Sequence, residues 1–361
     1  MKKILLSVAL CATMFLTAYA QQGKKLQFPN IDGYITLKGD FHTHTVFSDG
    51  SVWPTVRVDE AVREGLDVLA LTEHLEYRPH KQDITADHNR SHELVVNQAK
   101  SKKLILIKGS EITRGMPPGH FNALFLTDCN PLEQKEWQSA FDEAKRQKAF
   151  FFWNHPGWER QQPDTTLWFP EHTRLYEQGC MHGIEVANGG SFFPEALEWA
   201  LEKNLTMMGN SDIHAPSYYH TDPKGEEHRT MTLLFAKERT ADGVREALEN
   251  RRTAVYYQDK IIGREELLRD FLQACLTVKE TRRTEKEIRL SVTNNSPLTL
   301  HLVRTGNTPD LSYFRNRTIR PHSTITLTIQ LKNGAKGGKM TFKVTDFITG
   351  RDRCLHHTIN L

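Results

Sequence analysis

Asp40-Phe41-His42-Thr43-His44-Thr45, with Ser48-Asp49-Gly50 just behind it, is the stretch on which the reading of this chain turns. Ile35-Thr36-Leu37 leads in as a strand, and Ser51-Val52-Trp53-Pro54 opens a helix. Side chains at i and i+2 of a strand point the same way. His42 and His44 therefore present two imidazoles to one side of a strand end. Two neutral imidazoles held together are a start on a divalent-metal site. A lone His-x-His pair is more often only polar punctuation, so the reading depends on whether other strand ends supply matching ligands.

Working outward, apolar runs recur at Ile35–Phe41, Leu66–Leu71, Leu104–Ile107, Phe121–Leu126, Phe150–Trp153, Gly183–Val186, Leu205–Met208 and Met231–Phe235. Helical stretches lie between several of them, at 54–64, 91–102, 133–148, 194–204 and 240–252. Short buried runs alternating with amphipathic helices predict a mainly parallel α/β sheet or barrel, in which chemistry collects at the C-terminal strand ends. Titratable residues follow run after run: Glu73 and His74, Glu111, His155 after Asn154, then Asp212 and His214 in the same i, i+2 relation as His42 and His44, while Glu185 lies within its run. His120 precedes a run, so a loop has to bring it inward. So many titratable groups are costly to bury without a metal or strong pairing.

Taken together, Gly39–Gly50, Gly65–His74, Gly109-Ser110-Glu111-Ile112, Asn154-His155-Pro156-Gly157 and Ser211-Asp212-Ile213-His214 resemble the polymerase-and-histidinol-phosphatase (PHP) family of metal-dependent phosphoesterases. The resemblance covers roughly residues 35–255. It implies a distorted seven-stranded α/β barrel with two or three divalent ions (Zn, Mn or Fe) at the C-terminal strand ends. Carried over, His42, His44, Glu111 and Asp212 would hold the first ion. Glu111 would bridge to a second, completed by His120 and His155, and Asp49, His74 and His214 would hold a third. Mixed imidazole and carboxylate ligands suit all three metals. The implied reaction is hydrolysis of a phosphate mono- or diester by hydroxide generated at the metals, with Glu111, Asp212 and His214 as catalytic residues and His214 or a metal-held water protonating the leaving oxygen. No Gly-x-Ser-x-Gly and no P-loop is present, which argues against a serine hydrolase or an NTPase.

The polar loop after His74 offers Arg78, His80, Lys81 and Arg90 for a substrate phosphate. Trp153, Trp158, Trp168, Phe192 and Phe193 lie near site segments and either stack a ring or pack. His182 and Glu185 read equally as supports of the site or as core. His172, His220, His228 and His301 read as surface residues.

Residues 1–20 read as a cleaved signal peptide: Lys2 and Lys3, an apolar Ile4–Leu16, and Ala18-Tyr19-Ala20 before the cut. This predicts a periplasmic or secreted protein with no transmembrane segment. The formal net charge of +3 loses Lys2 and Lys3, leaving +1, and no basic stripe predicts a nucleic-acid polymer as partner. The partner expected is a small phosphorylated substrate. The organisation read is a catalytic barrel over 21–257, a helical connector over 258–275 and a small all-β sandwich over 276–361, where alternation replaces helical period. Two other readings compete: an amidohydrolase-like enzyme using the same cluster, and a glycan- or envelope-binding protein with a structural metal barrel.

Overall fold

The computed structural model describes residues 25–219, 228–306 and 308–361. The signal-peptide reading and His220 lie outside them. The chain runs β1 (Ile35–Asp40), α1 (Pro54–Arg63), β2 (Val68–Leu71), α2 (Arg90–Ser101), β3 (Ile105–Ile112), β4 (Phe121–Leu124), α3 (Trp137–Arg146), β5 (Phe150–Trp153), α4 (Pro170–Glu177), β6 (Gly183–Asn188), β7 (Ser191–Phe192), α5 (Pro194–Glu202) and β8 (Thr206–Asn210). It continues with β9 (Met231–Ala236), α6 (Ala241–Glu249), β10 (Thr253–Tyr257), β11 (Lys260–Gly263) and α7 (Glu265–Cys275). Prolines at the first turns of α1, α4 and α5 set φ where an N–H would have no intrahelical partner.

Neighbours in the main sheet run β9-β1-β2-β3-β4-β5-β6, with β8 also on β6. β1, β2 and β3 are parallel, as are β5, β6 and β8, while β4 is antiparallel to both neighbours. The expected parallel order thus breaks at β4. The segment 113–120 that joins it to β3 contains no helix, and it is too short for a parallel crossover. This reversal has a consequence for the site. The start of β4 comes to the rim where β3 ends, which is how His120 reaches the other strand-end residues.

The sheet curls until its two ends meet at that rim. Thr43 bridges Ile213, Asp212 N–H donates to His42 O (2.9 Å) and His44 N–H donates to Ile213 O (3.1 Å). Strand alternation then sorts the core. Val68 and Ala70, Phe150 and Phe152, and Met208 belong to the cluster inside the curl, while Leu69, Leu71, Phe151, Trp153 and Met207 pack outside it under helices.

The C-terminal part forms a two-sheet β unit. One sheet is β12 (Leu276–Arg283), β13 (Glu287–Asn294), β17 (Thr324–Leu331) and β15 (Leu311–Ser312). The other is β16 (Asn316–Ile319), β14 (Leu300–Arg304), β18 (Lys339–Gly350) and β19 (Arg353–Asn360). The segment 258–275 is more than a helix: β11 pairs with β10 on one side and with β18 on the other, joining the second sheet to the main one. The cores are continuous too, since Leu268, Phe271 and Leu272 of α7 share a cluster with Val292, Leu300 and Phe347. Cys129, Cys180, Cys275 and Cys354 are all unpaired. Among the described residues no helix is long and apolar enough to cross a membrane.

Candidate metal centre

The candidate ligands sit at or just past strand ends, except His120, just before β4 begins, and Asp49, which a turn brings back. Two have left-handed backbones, His155 at φ 28° and Asp212 at φ 52°; for non-glycine residues this is strain of the kind that surrounding structure has to hold in place. Thr45 to Gly50 turns tightly, with Ser48 N–H (3.1 Å) and Gly50 N–H (2.9 Å) both donating to Thr45 O. A Cβ on Gly50 would lie 2.7 Å from the backbone of His44 and Thr45, so only glycine lets this turn carry Asp49 back to the site.

The ligand atoms converge. Glu111 Oε2 lies 3.3 Å from both His42 Nε2 and His44 Nε2. Asp212 Oδ1 lies 3.2 and 3.1 Å from the same two nitrogens. Glu111 Oε1 is 2.8 Å from His120 Nδ1 and 3.9 Å from His155 Nε2. Asp49 Oδ1 is 3.3 Å from His74 Nε2 and 3.1 Å from His214 Nε2. Spacings near 3.3 Å are the edges of a tetrahedron whose centre is ~2.0 Å from each corner, a metal–ligand length.

Burial tests the fit independently. His44 Nε2, Asp49 Oδ1, His120 Nδ1 and Asp212 Oδ1 are buried, and none makes a hydrogen bond. They approach one another yet point at shared interior points, and unpaired buried polar atoms are rare without such a reason. The residues therefore fit divalent ions. Four overlapping groups can hold one: His42, His44 and Asp212; His42, Glu111 and His155; His74, Glu111 and His120; and His44, Asp49, His74 and His214. The last differs from the expected trio by His44, whose ring stacks on both His74 (4.3 Å) and His214 (4.2 Å).

Without ions the cluster is electrostatically polarised. Burial, the largest influence on Glu111, favours its neutral form, but His74, His42 and His120 hold it well below the usual carboxylate range. Asp212 is likewise held low against burial by His42, His44 and His155. Burial disfavours a proton on His74, yet Glu111 and Asp49 raise it to about 10. Burial and then the charges of His74 and His214 push His44 down to about 3. Both carboxylates are thus ionised at neutral pH, as ligands must be.

A second layer fixes these groups. Glu185 is fully buried; it takes His42 Nδ1 (3.0 Å) and Asn210 Nδ2 (2.9 Å) on one oxygen, and His155 N–H (2.7 Å) and Asn188 Nδ2 (2.8 Å) on the other. The proton on His42 Nδ1 leaves Nε2 free to face inward. Asn154 Nδ2 donates to Glu111 Oε1 (3.1 Å). Glu73 binds Thr45 N–H (3.0 Å) and the hydroxyls of Thr45 and Ser48 (both 2.6 Å), pinning the turn. Arg57, fully buried on α1, donates to the carbonyls of His44, Ile213, His214 and Ala215 and pairs with Glu60. Arg229 bridges Asp40 and Glu64, and Asp40 in turn accepts from Ser211. Arg57 and Arg229 carry no motif signal and are invisible without the fold, while Asp40 stands in the opening motif and only the fold shows what it holds.

A cleft of about 1230 Å³ opens onto the ligands, lined among others by Asp49, His74, Tyr77, Arg114, Trp158, Arg160, Phe192 and Glu195. Arg78, His80, Lys81 and Arg90 do not line it. Arg78 is held by Ala86 O (2.7 Å) and Glu133 (3.2 Å), and Arg90 faces Glu93 on α2 (3.5 Å). Of the aromatics, Trp153 is fully buried and Trp168 packs against it (5.9 Å), while Trp158, Phe192 and Phe193 reach the cleft. His182 stacks on Phe150 (5.2 Å), away from the cluster. The surface reading holds for His301 but not for His172, which is fully buried. His172 stacks on Trp153 (3.8 Å) and its Nε2 donates to Pro118 O (2.8 Å); a polar tip with a carbonyl partner can be buried where the sequence shows only polarity. His228 is half-buried on Glu64 O (2.9 Å).

A curled α/β sheet whose rim gathers nine imidazole and carboxylate side chains able to hold divalent metal defines a candidate metal-hydrolase type of centre. The crystal structure of a two-domain protein from Bacteroides vulgatus ATCC 8482, containing a predicted PHP-like metal-dependent phosphoesterase, matches at 58% identity and a TM-score of 0.92, covering 95% of this chain and 100% of that one. The chain belongs to this two-domain PHP-like family. A structure described as a metal-dependent phosphoesterase from Bifidobacterium adolescentis ATCC 15703 aligns at 17% identity, TM-score 0.41, over 58% of this chain and 95% of that one. An amidohydrolase from Chromobacterium violaceum with bound sulfate aligns at 17% identity, TM-score 0.39, over 49% and 88%. An Ig-like domain family model matches residues 276–360. No curated protein matches.

Proposed function

We propose that the chain is a metal-dependent hydrolase of phosphate esters acting at a di- or trinuclear site. The observation that carries this is the set of buried, unpartnered ligand atoms converging at ion-binding spacing beneath an open cleft. His42, His44, Glu111 and Asp212 would hold one ion, Glu111, His120 and His155 a second, and Asp49, His74 and His214, with His44 at hand, a third. Bound Zn²⁺, Mn²⁺ or Fe²⁺ supplies a water acidic enough to attack phosphorus and positive charge for the phosphoryl oxygens. The protein's own part is geometric. Glu185 and Asn154 orient ligands, the Thr45–Gly50 turn presents Asp49, and His214, which lines the cleft, would be free to protonate the leaving oxygen only when the third position holds no ion, that proton otherwise coming from water held at the metals.

Counting β1 to β6 and β8, the curled sheet would be the seven-stranded barrel that the resemblance implies, over 21–257, with the β unit over 276–361 as a second domain. Export belongs to the same proposal and rests on the sequence of residues 1–20 alone. The test is hydrolysis of a generic monoester and a generic diester by the metal-reconstituted protein, with Glu111→Ala as control. Hydrolysis that disappears in the control supports the reading. Silence on both esters with metal demonstrably bound overturns it.

A further inference from the structure

The β unit reaches the cleft through helix α5. That helix opens behind Phe192 and Phe193 and carries Glu195 in its first turn, and all three residues line the cleft. Of the carboxylates there, Asp49 and Asp212 belong to the candidate ion groups, whereas Glu195 belongs to none. Its one ion pair among the described residues comes from far along the chain, from the Arg351 guanidinium in the turn between β18 and β19. The same turn grips the next turn of the helix. Arg351 N–H donates to Glu198 Oε1 (2.7 Å), and Arg353 Nη2 lies 3.3 Å from both oxygens of Glu198. Ile348 of β18 packs on the cluster that contains Phe193 and Leu197. At the other end of α5, Arg264, just past β11, donates to Ala200 O (3.0 Å) and Leu205 O (2.9 Å).

The grip on α5 does not depend on the Arg351–Glu195 pair. Its side chains are 55% and 28% exposed, and exposed ion pairs contribute little to stability. Glu198, Arg353, Ile348 and Arg264 fasten the helix without it. What the pair changes is the charge of the cleft wall. A bare carboxylate there repels an anionic ligand, and a cleft with low-dielectric walls carries such a field further than open water does. The Arg351 cation cancels it from behind. We propose that Arg351 is a positioning residue of the cleft, through which the β unit masks Glu195 and so sets the affinity of the site for phosphoryl anions. This rests on the phosphoesterase reading and adds the second β unit to its binding site.

Inorganic phosphate is the probe, titrated by calorimetry into the metal-loaded full chain, with metal content checked in every variant. At low ionic strength Arg351→Ala should weaken phosphate binding by about 2- to 5-fold, the range of an exposed charge pair, and Arg351→Lys should keep most of the affinity. Glu195→Gln should bind phosphate at least as tightly as wild type, and in that background Arg351→Ala should cost nothing. In about 1 M salt, where the screening length falls to ~3 Å, the difference between wild type and Arg351→Ala should vanish. A helix merely loosened by the substitution would lose affinity regardless of salt and of the charge at position 195. Arg351→Ala that binds phosphate as tightly as wild type at low salt, or a loss that persists in high salt or in the Glu195→Gln background, overturns the masking role. Phosphate that fails to bind the metal-loaded wild type overturns the phosphoryl site, and the role of Arg351 with it.

Discussion

Replacing Glu185 by glutamine changes one oxygen for an NH2 group at almost constant shape. The carboxylate accepts four hydrogen bonds, two on each oxygen, in a site with no water access. An amide nitrogen in place of either oxygen turns two of these into donor-against-donor contacts. Bonds to a charged acceptor are worth ~1.5–3 kcal/mol each, so the loss is ~3–6 kcal/mol before relaxation. Part of it falls on the fold and part on the orientation of His42 and His155. For groups that orient a ligand, the metal-affinity share is ~10–100-fold, or ~1.4–2.7 kcal/mol. The assay is competition for Zn²⁺ against a chromophoric chelator on metal-stripped protein, with melting curves of the stripped and loaded forms. Glu185→Gln should melt lower and also bind Zn²⁺ at least about tenfold more weakly. A variant that melts lower but binds Zn²⁺ as tightly as wild type would show that Glu185 serves only the core, and the orienting role assigned to it would be wrong.

Other expectations follow from the same geometry. Arg57→Met removes the guanidinium's hydrogen bonds to four carbonyls, those of His44, Ile213, His214 and Ala215, and leaves Glu60 buried without its cation; a loss of at least ~3 kcal/mol is expected, read from denaturant unfolding, and a change under ~1 kcal/mol would contradict it. His74 has its folded pKa raised to about 10 from an ordinary 6.5. Its contribution to metal-free stability is therefore whole below about pH 6.5 and lost as pH rises toward about 10. Metal binding has the opposite sense, because the proton has to leave; affinity should weaken by up to ~10-fold per unit of falling pH, and a flat profile in chelator competition between about pH 6 and 9 would refute this. Truncation after Cys275 should yield insoluble protein by size-exclusion chromatography, since it strips α7 of the partners it shares with the β unit and leaves β11 a bare edge; a soluble, well-folded 21–275 fragment would show that the shared core is dispensable.

The candidate ligands were legible because strand ends put chemistry at fixed positions in sequence. His42 and His44, Asp212 and His214, Glu111 and His155 all follow apolar runs, and each is brought to the rim. The runs themselves were legible for the same reason, since buried strands have to be apolar. Helix α4 escaped the reading because it spans only Pro170–Glu177, too short for a periodic signal to stand out. The four cationic residues proposed for substrate were read from proximity to His74 along the chain. The fold spends Arg78 on Glu133 and leaves the cleft to Arg114 and Arg160, because position in a loop does not fix the direction in which a long side chain points.

The sequence by itself determined which residues would gather, since a strand's period of two and the order of its runs are local properties. Only the tertiary structure decided how they face one another. The reversal at β4 that delivers His120, the closure of Thr43 on Ile213, the hold of Glu185 and Arg57 on ligands far away in the chain, and the merging of the β unit with the main sheet through β11 all depend on contacts between distant segments. Such contacts are set by packing in three dimensions, and no short window of sequence encodes them.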